Sequence, residues 1–221
     1  SSVSVLKNNG NGTFAPKVDY PTGANPRSIA VGDIDNDGDL DIVVANSGSN
    51  TVTVLKNDGA GSFPVSNDFA SGSGPSSVAL VDIDGSGYVD IVASLFTSSS
   101  ISVLKNNGSG GFLAAVPYLL GGSPWWSHVA DMDGDGGVDV VSVNSAASST
   151  VQILQNAGSG TIALESSYPA GSYARGIVAA YLNNDGRADF VAVNSVSNTT
   201  SYYTQAVDGT FISTGSNVTP A

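Results

Sequence analysis

Five aspartates stand at alternate positions in DIDNDGDLDIVV (33–44): Asp33, Asp35, Asp37, Asp39 and Asp41. Like charges this dense repel one another unless something neutralises them. If the loop curls, the side chains of Asp33, Asp35, Asp37 and Asp41 converge on one hard cation. Gly38 allows the sharp turn, and Asp39 offers its backbone carbonyl. Oxygen donors without His or Cys suit Ca2+ better than a transition metal, and Mg2+ demands a more rigid octahedron with retained waters. A turn built on local Asx hydrogen bonds would use one or two aspartates, not four in register. The chemistry to expect is cation binding that pins a loop and stabilises the fold by mass action.

The loop recurs. A second copy offers Asp82, Asp84, Ser86, the Tyr88 carbonyl and Asp90, with a hydroxyl in place of one carboxylate, so weaker binding is expected. A third offers Asp131, Asp133, Asp135, the Gly137 carbonyl and Asp139 and is complete. The fourth has Tyr181, Asn183, Asp185, Arg187 and Asp189; it has lost its first carboxylate and gained a cation, so no Ca2+ or poor binding is expected there. The expectation is two to three Ca2+ ions.

Catalytic groups are scarce. There is one histidine (His128), one glutamate (Glu165) and no cysteine, and no GxSxG elbow, HExxH helix or P-loop occurs. No residue is assigned a catalytic role, and the expectation is a protein that is not an enzyme.

The elements that carry these loops repeat at about 49 residues: VSVLKNNGNGTF (3–14) returns as VTVLKNDGAGSF (52–63), ISVLKNNGSGGF (101–112) and VQILQNAGSGTI (151–162), with a worn copy at 201–211. Each repeat reads as four short strands, and the aspartate loop joins the first two. No helical apolar period is sustained. A period of this length holding four strands predicts a propeller blade. The fold expected is all-β: one β-propeller domain over 1–221, with an N-terminal half blade (1–21) and four complete blades (22–71, 72–120, 121–170 and 171–221). Phe14, Phe63, Phe112 and Phe211 follow the Gly-rich turn, with Ile162 in the same place. Tyr20, Phe69, Tyr118 and Tyr168 close the fourth strands, and all are expected in inter-blade core. The half blade needs a cover, since an unpaired edge invites association. A homo-oligomer formed through it, or a larger ring of which this chain is a part, would each supply one.

With GDIDNDGDLDIVVANS, its copies and the VLKN–GxGxF segments in view, the chain resembles the FG-GAP/VCBS repeat family, which includes the calcium-bearing blades of integrin α-subunit propellers. The resemblance covers nearly the whole chain. It implies a β-propeller with Ca2+ in strand-connecting loops and leaves the ligand open, because the family serves adhesion proteins, lectins and domains attached to enzymes. The integrin-type ring has seven blades, and this chain lacks the material for seven.

Where copies diverge, specificity is to be sought. The loop entering each first strand reads NPRSIA, GPSSVA, SPWWSHVA and YARGIV, so Trp125 takes the slot of Arg27, Ser76 and Arg175. Trp125 and Trp126 are the only tryptophans, and His128 is close by. Adjacent indoles suit stacking on a sugar face, so Trp125, Trp126 and His128 are the candidate ligand-binding residues. A locally enlarged core is the alternative.

The net charge of −12, with 7 Lys+Arg and 19 Asp+Glu, excludes the basic patches that nucleic acid requires. No apolar run reaches the roughly 18 residues of a membrane span. The chain opens at Ser1, as a trimmed product would, and Asn-x-Ser/Thr sequons stand at Asn11, Asn107, Asn198 and Asn217. Together these lean to a secreted protein. The function expected is a calcium-stabilised, secreted, lectin-like propeller whose partner is a glycan or glycoprotein. A protein-adhesion module and an accessory domain of a polysaccharide-active enzyme are the other readings.

Overall fold

The structure, a computed structural model, describes residues 1–218, the last three by backbone alone; the sequon at Asn217 runs outside the described residues. Eighteen strands form five sheets, with no helix among the described residues. The half blade is β1 (Ser2–Val5) and β2 (Val18–Pro21). Blade one is β3 (Pro26–Gly32), β4 (Asp41–Asn46), β5 (Thr51–Lys56) and β6 (Val65–Ala70). Blade two is β7 (Pro75–Val81), β8 (Asp90–Leu95), β9 (Ser100–Leu104) and β10 (Val116–Leu119). Blade three is β11 (Pro124–Ala130), β12 (Asp139–Asn144), β13 (Thr150–Asn156) and β14 (Ile162–Pro169). Blade four is β15 (Ala174–Ala180), β16 (Asp189–Asn194), β17 (Thr199–Gln205) and β18 (Phe211–Val218). Each sheet is an antiparallel meander, and β3, β7, β11 and β15 lie side by side along the inside of the arc.

The second strand of each blade is sandwiched between neighbouring sheets. β4, β8 and β12 (DIVVAN, DIVASL, DVVSVN) are buried at every residue, so their apolar runs are continuous rather than alternating. In β16 the same position breaks down: Val193 is 48% exposed, because no described element packs on that side of blade four. The fourth strands are mostly exposed, as in β6, where Phe69 alone turns inward.

Apolar seams hold blade to blade. Val3, Val5 and Tyr20 of the half blade pack on Ile42, Val44, Leu55 and Phe63. Val52 and Val54 meet Ile91 and Leu104 in the next seam. The aromatics form an inter-blade series: Tyr20 on Phe63 at 5.3 Å, Phe69 on Phe112 at 5.1 Å and Tyr168 on Phe211 at 5.4 Å, edge to face. Such pairs add about 0.5–1.5 kcal/mol beyond burial. Phe14 departs from the core expected of it: it is 59% exposed, since no described blade precedes it to supply the partner ring.

Candidate functional site

The aspartate loops join first to second strands at one end of the inner strands. Their fourth and sixth positions adopt positive φ in every copy: Asn36 (59°) and Gly38 (93°), Gly85 and Gly87, Gly134 and Gly136, Asn184 (59°) and Gly186. Only glycine, or asparagine at small cost, visits this region readily. The recurrent Asn/Gly at the fourth position is a signal the motif reading passed over. This backbone curls the loop so that Asp33 accepts the amides of Asp37 (3.1 Å) and Gly38 (3.0 Å), Asp82 those of Ser86 and Gly87, and Asp131 those of Gly134 and Gly136.

Carboxylate oxygens gather as a result. Those of Asp33, Asp35 and Asp37 lie within 4.8 Å of one another, as do those of Asp82, Asp84 and Asp90, and of Asp131, Asp133 and Asp139. At an effective dielectric near 20, each charge pair at such range repels by on the order of 3 kcal/mol. Within the first cluster Asp35 Oδ1 is buried with no hydrogen-bond partner. An orphaned carboxylate oxygen among other carboxylates fits a hard divalent cation. Beside each cluster the third-position aspartate has one partner from its own blade: Lys56 Nζ at 3.0 Å from Asp35, Lys105 Nζ at 3.2 Å from Asp84, and Gln155 Nε2 at 2.8 Å from Asp133.

The ninth-position aspartates have a second task. Asp41 accepts the amides of Ile34 (3.0 Å) and Asn57 (2.8 Å), tying the loop to the end of β5. Asp90, Asp139 and Asp189 repeat the pattern with Ile83 and Asn106, Met132 and Asn156, and Leu182 and Gln205. All four carboxylates are fully buried. Burial pushes the carboxyls of Asp41 and Asp90 above the usual range against the pull of these amides, and that of Asp139 to about 6, with Asp133 and Asp135 adding repulsion.

At the seventh position Gly137 packs near the carbonyl of Asn156, and the Tyr88 ring faces Gly108 in the Gly-rich turn of its own blade. Asp39 points its carboxylate at Gly59 in the equivalent turn, away from the other four aspartates. In the fourth loop Asn183 and Arg187 both bond Asp185, and Arg187 Nε donates to the Gln205 carbonyl at 3.0 Å. A guanidinium thus stands beside the only early carboxylate that this loop keeps.

A side chain from the third strand locks each blade to the one before. Asn106 Nδ2 donates to the Ile34 carbonyl (2.8 Å), Asn156 Nδ2 to that of Ile83 (2.7 Å), and Gln205 Nε2 to that of Met132 (2.6 Å). The loop of one blade is therefore held by the next.

Trp125 and Trp126 lie at the opposite end of β11. Phe96 meets the Trp125 ring edge-on at 5.4 Å, and Trp126 is 38% exposed beside a hollow shared with Arg27. His128, deeper in β11, is half-buried against Ala179 of β15, and burial lowers its pKa so that it is neutral at pH 7. Between blades one and two runs a groove of about 680 Å³. Phe69, Phe112, Leu113 and Leu119 form its apolar wall; Ser73 and Ser98 are accessible along it, and Ser71, Ser100 and Ser102 are buried beneath. This groove was not legible in the sequence, since its walls come from two repeats.

The FG-GAP-like repeat model matches residues 1–44, 33–93, 84–142 and 131–192. The chain belongs to the FG-GAP-like repeat family. No curated protein sequence matches it. Among solved structures, it is similar to an Agrocybe aegerita lectin described as recognising non-reducing terminal N-acetylglucosamine, at 22% identity and TM-score 0.62, over 97% of this chain and 59% of the lectin. It is similar to the Pseudomonas aeruginosa periplasmic gluconolactonase at 16% identity and TM-score 0.67, over 98% and 63%. A biofilm matrix protein of V. cholerae matches at 19% identity and TM-score 0.56, over 95% of this chain and 38% of that one. At these identities the likeness establishes the propeller fold and leaves activity undecided between binding and enzymatic relatives. The chain spans about three fifths of the length of the lectin and the gluconolactonase.

Proposed function

We propose that this protein is a calcium-stabilised, secreted propeller that binds carbohydrate and carries out no catalysis. The observation that carries the reading is the groove between blades one and two, where Ser73 and Ser98 reach the surface beside an aromatic and aliphatic wall. A pyranose presents the matching pair of surfaces: an apolar C–H face and a rim of hydroxyls. Sites of this kind favour apolar walls with a few placed polar groups.

Calcium would be held by Asp33, Asp35, Asp37 and Asp41, by Asp82, Asp84, Ser86 and Asp90, and by Asp131, Asp133, Asp135 and Asp139, with the seventh-position carbonyls of Asp39, Tyr88 and Gly137. Its contribution is charge neutralisation within the loops, not polarisation of a substrate. The lectin neighbour is consistent with this reading, and the gluconolactonase is the counterweight.

The test is a glycan array in calcium and in EGTA, with Ala114→Phe, at an exposed wall position, filling the groove. Saccharide binding that Ala114→Phe loses, while its melting temperature holds, supports the reading; no saccharide bound in calcium refutes it.

A second reading has its own observation. Ile29 and Val31 stand 52% and 59% exposed at one end of the arc, and Val178 and Val193 45% and 48% exposed at the other. Aliphatic faces of this kind fit a protein partner, a second copy or further blades. Concentration-dependent sedimentation abolished by Val193→Asp would favour it.

A further inference from the structure

Each first strand carries a β-bulge at one shared place. The register shifts between Pro26 and Ser28, Pro75 and Ser77, Pro124 and Trp126, and Ala174 and Gly176. The extra residues are Arg27, Ser76, Trp125 and Arg175. A bulged residue leaves the ladder, and its side chain is re-aimed. Ser76 turns inward, its hydroxyl held by the carbonyls of Ser94 and Pro124. The other three converge. Arg175 Cζ sits 4.0 Å from the Trp125 ring centroid and Arg27 Cζ 5.9 Å from it.

These two cations differ from the other five. Lys17, Lys56, Lys105 and Arg187 are ion-paired, and Lys7 donates to the Ala60 carbonyl. Arg27 and Arg175 make no hydrogen bond or ion pair with any described residue. The connections at this end, residues 22–25, 47–50, 71–74, 96–99, 120–123, 145–149, 170–173 and 195–198, contain no Asp or Glu. The aspartate loops are all at the far end of the inner strands. A chain of net charge −12 thus keeps one positive, acid-free mouth.

Two guanidiniums drawn onto one indole repel each other, and an anion between them relieves the repulsion. The guanidinium fork matches a carboxylate in two parallel hydrogen bonds. Beside Arg27 the exposed ring of Trp126 borders a hollow of about 370 Å³ that Pro26, Ser28 and Ile29 help to line. An indole face suits the C–H face of a sugar ring.

We propose that this mouth binds an acidic saccharide, a uronic-acid unit whose carboxylate lies between Arg27 and Arg175 and whose ring rests on Trp126. This deepens the carbohydrate reading by naming a substrate class, and it places a site apart from the groove between blades one and two.

Trp125 and Trp126 are the only tryptophans, so indole emission reports this mouth alone. The full chain, in calcium, is titrated with a galacturonic-acid trisaccharide and with its neutral methyl ester. The expected result is a saturating emission change with the acid, at least tenfold weaker binding of the ester, and at least tenfold weaker acid binding in each of Arg27→Gln and Arg175→Gln. Arg27 is exposed, so Arg27→Gln keeps the wild-type melting temperature even if Arg175→Gln disturbs packing. Equal response to acid and ester, undiminished binding in Arg27→Gln, or an equal response to triglutamate overturns the proposal. Silent indoles alongside saccharide binding that Ala114→Phe abolishes would remove this site and leave the broader carbohydrate reading standing.

Discussion

Asn156 and Asn57 occupy the same slot of the repeat and differ in what precedes them. Asn156, 3% exposed, donates to the carbonyls of Ile83 (2.7 Å) and Val138 (3.2 Å), and its Oδ1 accepts the amides of Gly158 and Gly160 (both 3.1 Å). Asn57 donates only to Leu40 (3.0 Å) and accepts the amides of Gly59 (3.2 Å) and Gly61 (3.0 Å), because no described loop lies where a previous blade's carbonyl would be. Truncation to alanine orphans two buried groups, the Ile83 carbonyl and the Gly160 amide, and frees two part-buried ones, the Val138 carbonyl and the Gly158 amide, in the first case. A buried orphan costs about 1–3 kcal/mol, less for a carbonyl that keeps a second lone pair. Asn156→Ala should therefore lose about 2–4 kcal/mol and Asn57→Ala about 1 kcal/mol, its groups being within reach of water. At this chain length roughly 1 kcal/mol moves the melting temperature by about 2–4 °C. Urea unfolding followed by far-UV circular dichroism, both variants in the same calcium buffer, measures the gap. Midpoints that fall equally would refute this asparagine's inter-blade bond as a stabilising element.

Calcium at a hundred times its Kd should stabilise the fold by about 2.7 kcal/mol per site. Asp33→Asn and Asp131→Asn should each remove part of that rise, whereas Arg187→Ala should leave it unchanged; calorimetric melting in calcium and EGTA decides. In EGTA the protein should be more stable near pH 5 than at pH 7. Burial holds Asp139 protonated up to about 6 in the fold, so the fold binds the extra proton. Its favourable contribution is complete below about pH 4, the unfolded value, and is lost as pH rises through about 6, a swing of at most about 3 kcal/mol. Asp139→Asn should flatten that slope, and urea midpoints against pH would show it. Gly160→Ala should destabilise more than Gly12→Ala by roughly 2 kcal/mol. Both have positive φ, but a Cβ at Gly160 would lie 2.7 Å from Lys105 Cε and 2.9 Å from Asp84 Cβ, whereas at Gly12 nothing is within 4 Å. Equal losses would mean that backbone strain alone sets the cost.

What was legible in the sequence is what every blade does alike. The period, the four strands, the aspartate loop and the aromatic after the turn recur because each blade meets the same neighbours, so one residue type serves one slot throughout. The half blade was legible from the same counting. What was not legible comes from several repeats at once: the serine groove takes walls from two blades, and the mouth joins side chains from β3, β11 and β15. Trp125 stood out by type, but Arg27 and Arg175 looked like ordinary surface cations until the bulges brought them to it.

The ninth-position aspartate shows the limit most clearly. Spacing alone assigns Asp41, Asp90 and Asp139 to a cation, yet each holds two backbone amides, and only Asp90 and Asp139 also join a carboxylate cluster. The fourth loop separates the two tasks. There Tyr181 replaces the first carboxylate and Arg187 bonds Asp185, yet Asp189 still accepts the amides of Leu182 (3.0 Å) and Gln205 (2.9 Å). A carboxylate buried that deeply would be expensive if its only purpose were a cation the loop is no longer built to hold. Its persistence means that the amide pair is reason enough to keep it. The aspartate loop is thus a β-connection that folds on its own hydrogen bonds, and carboxylates gather in it only where the first position keeps its aspartate.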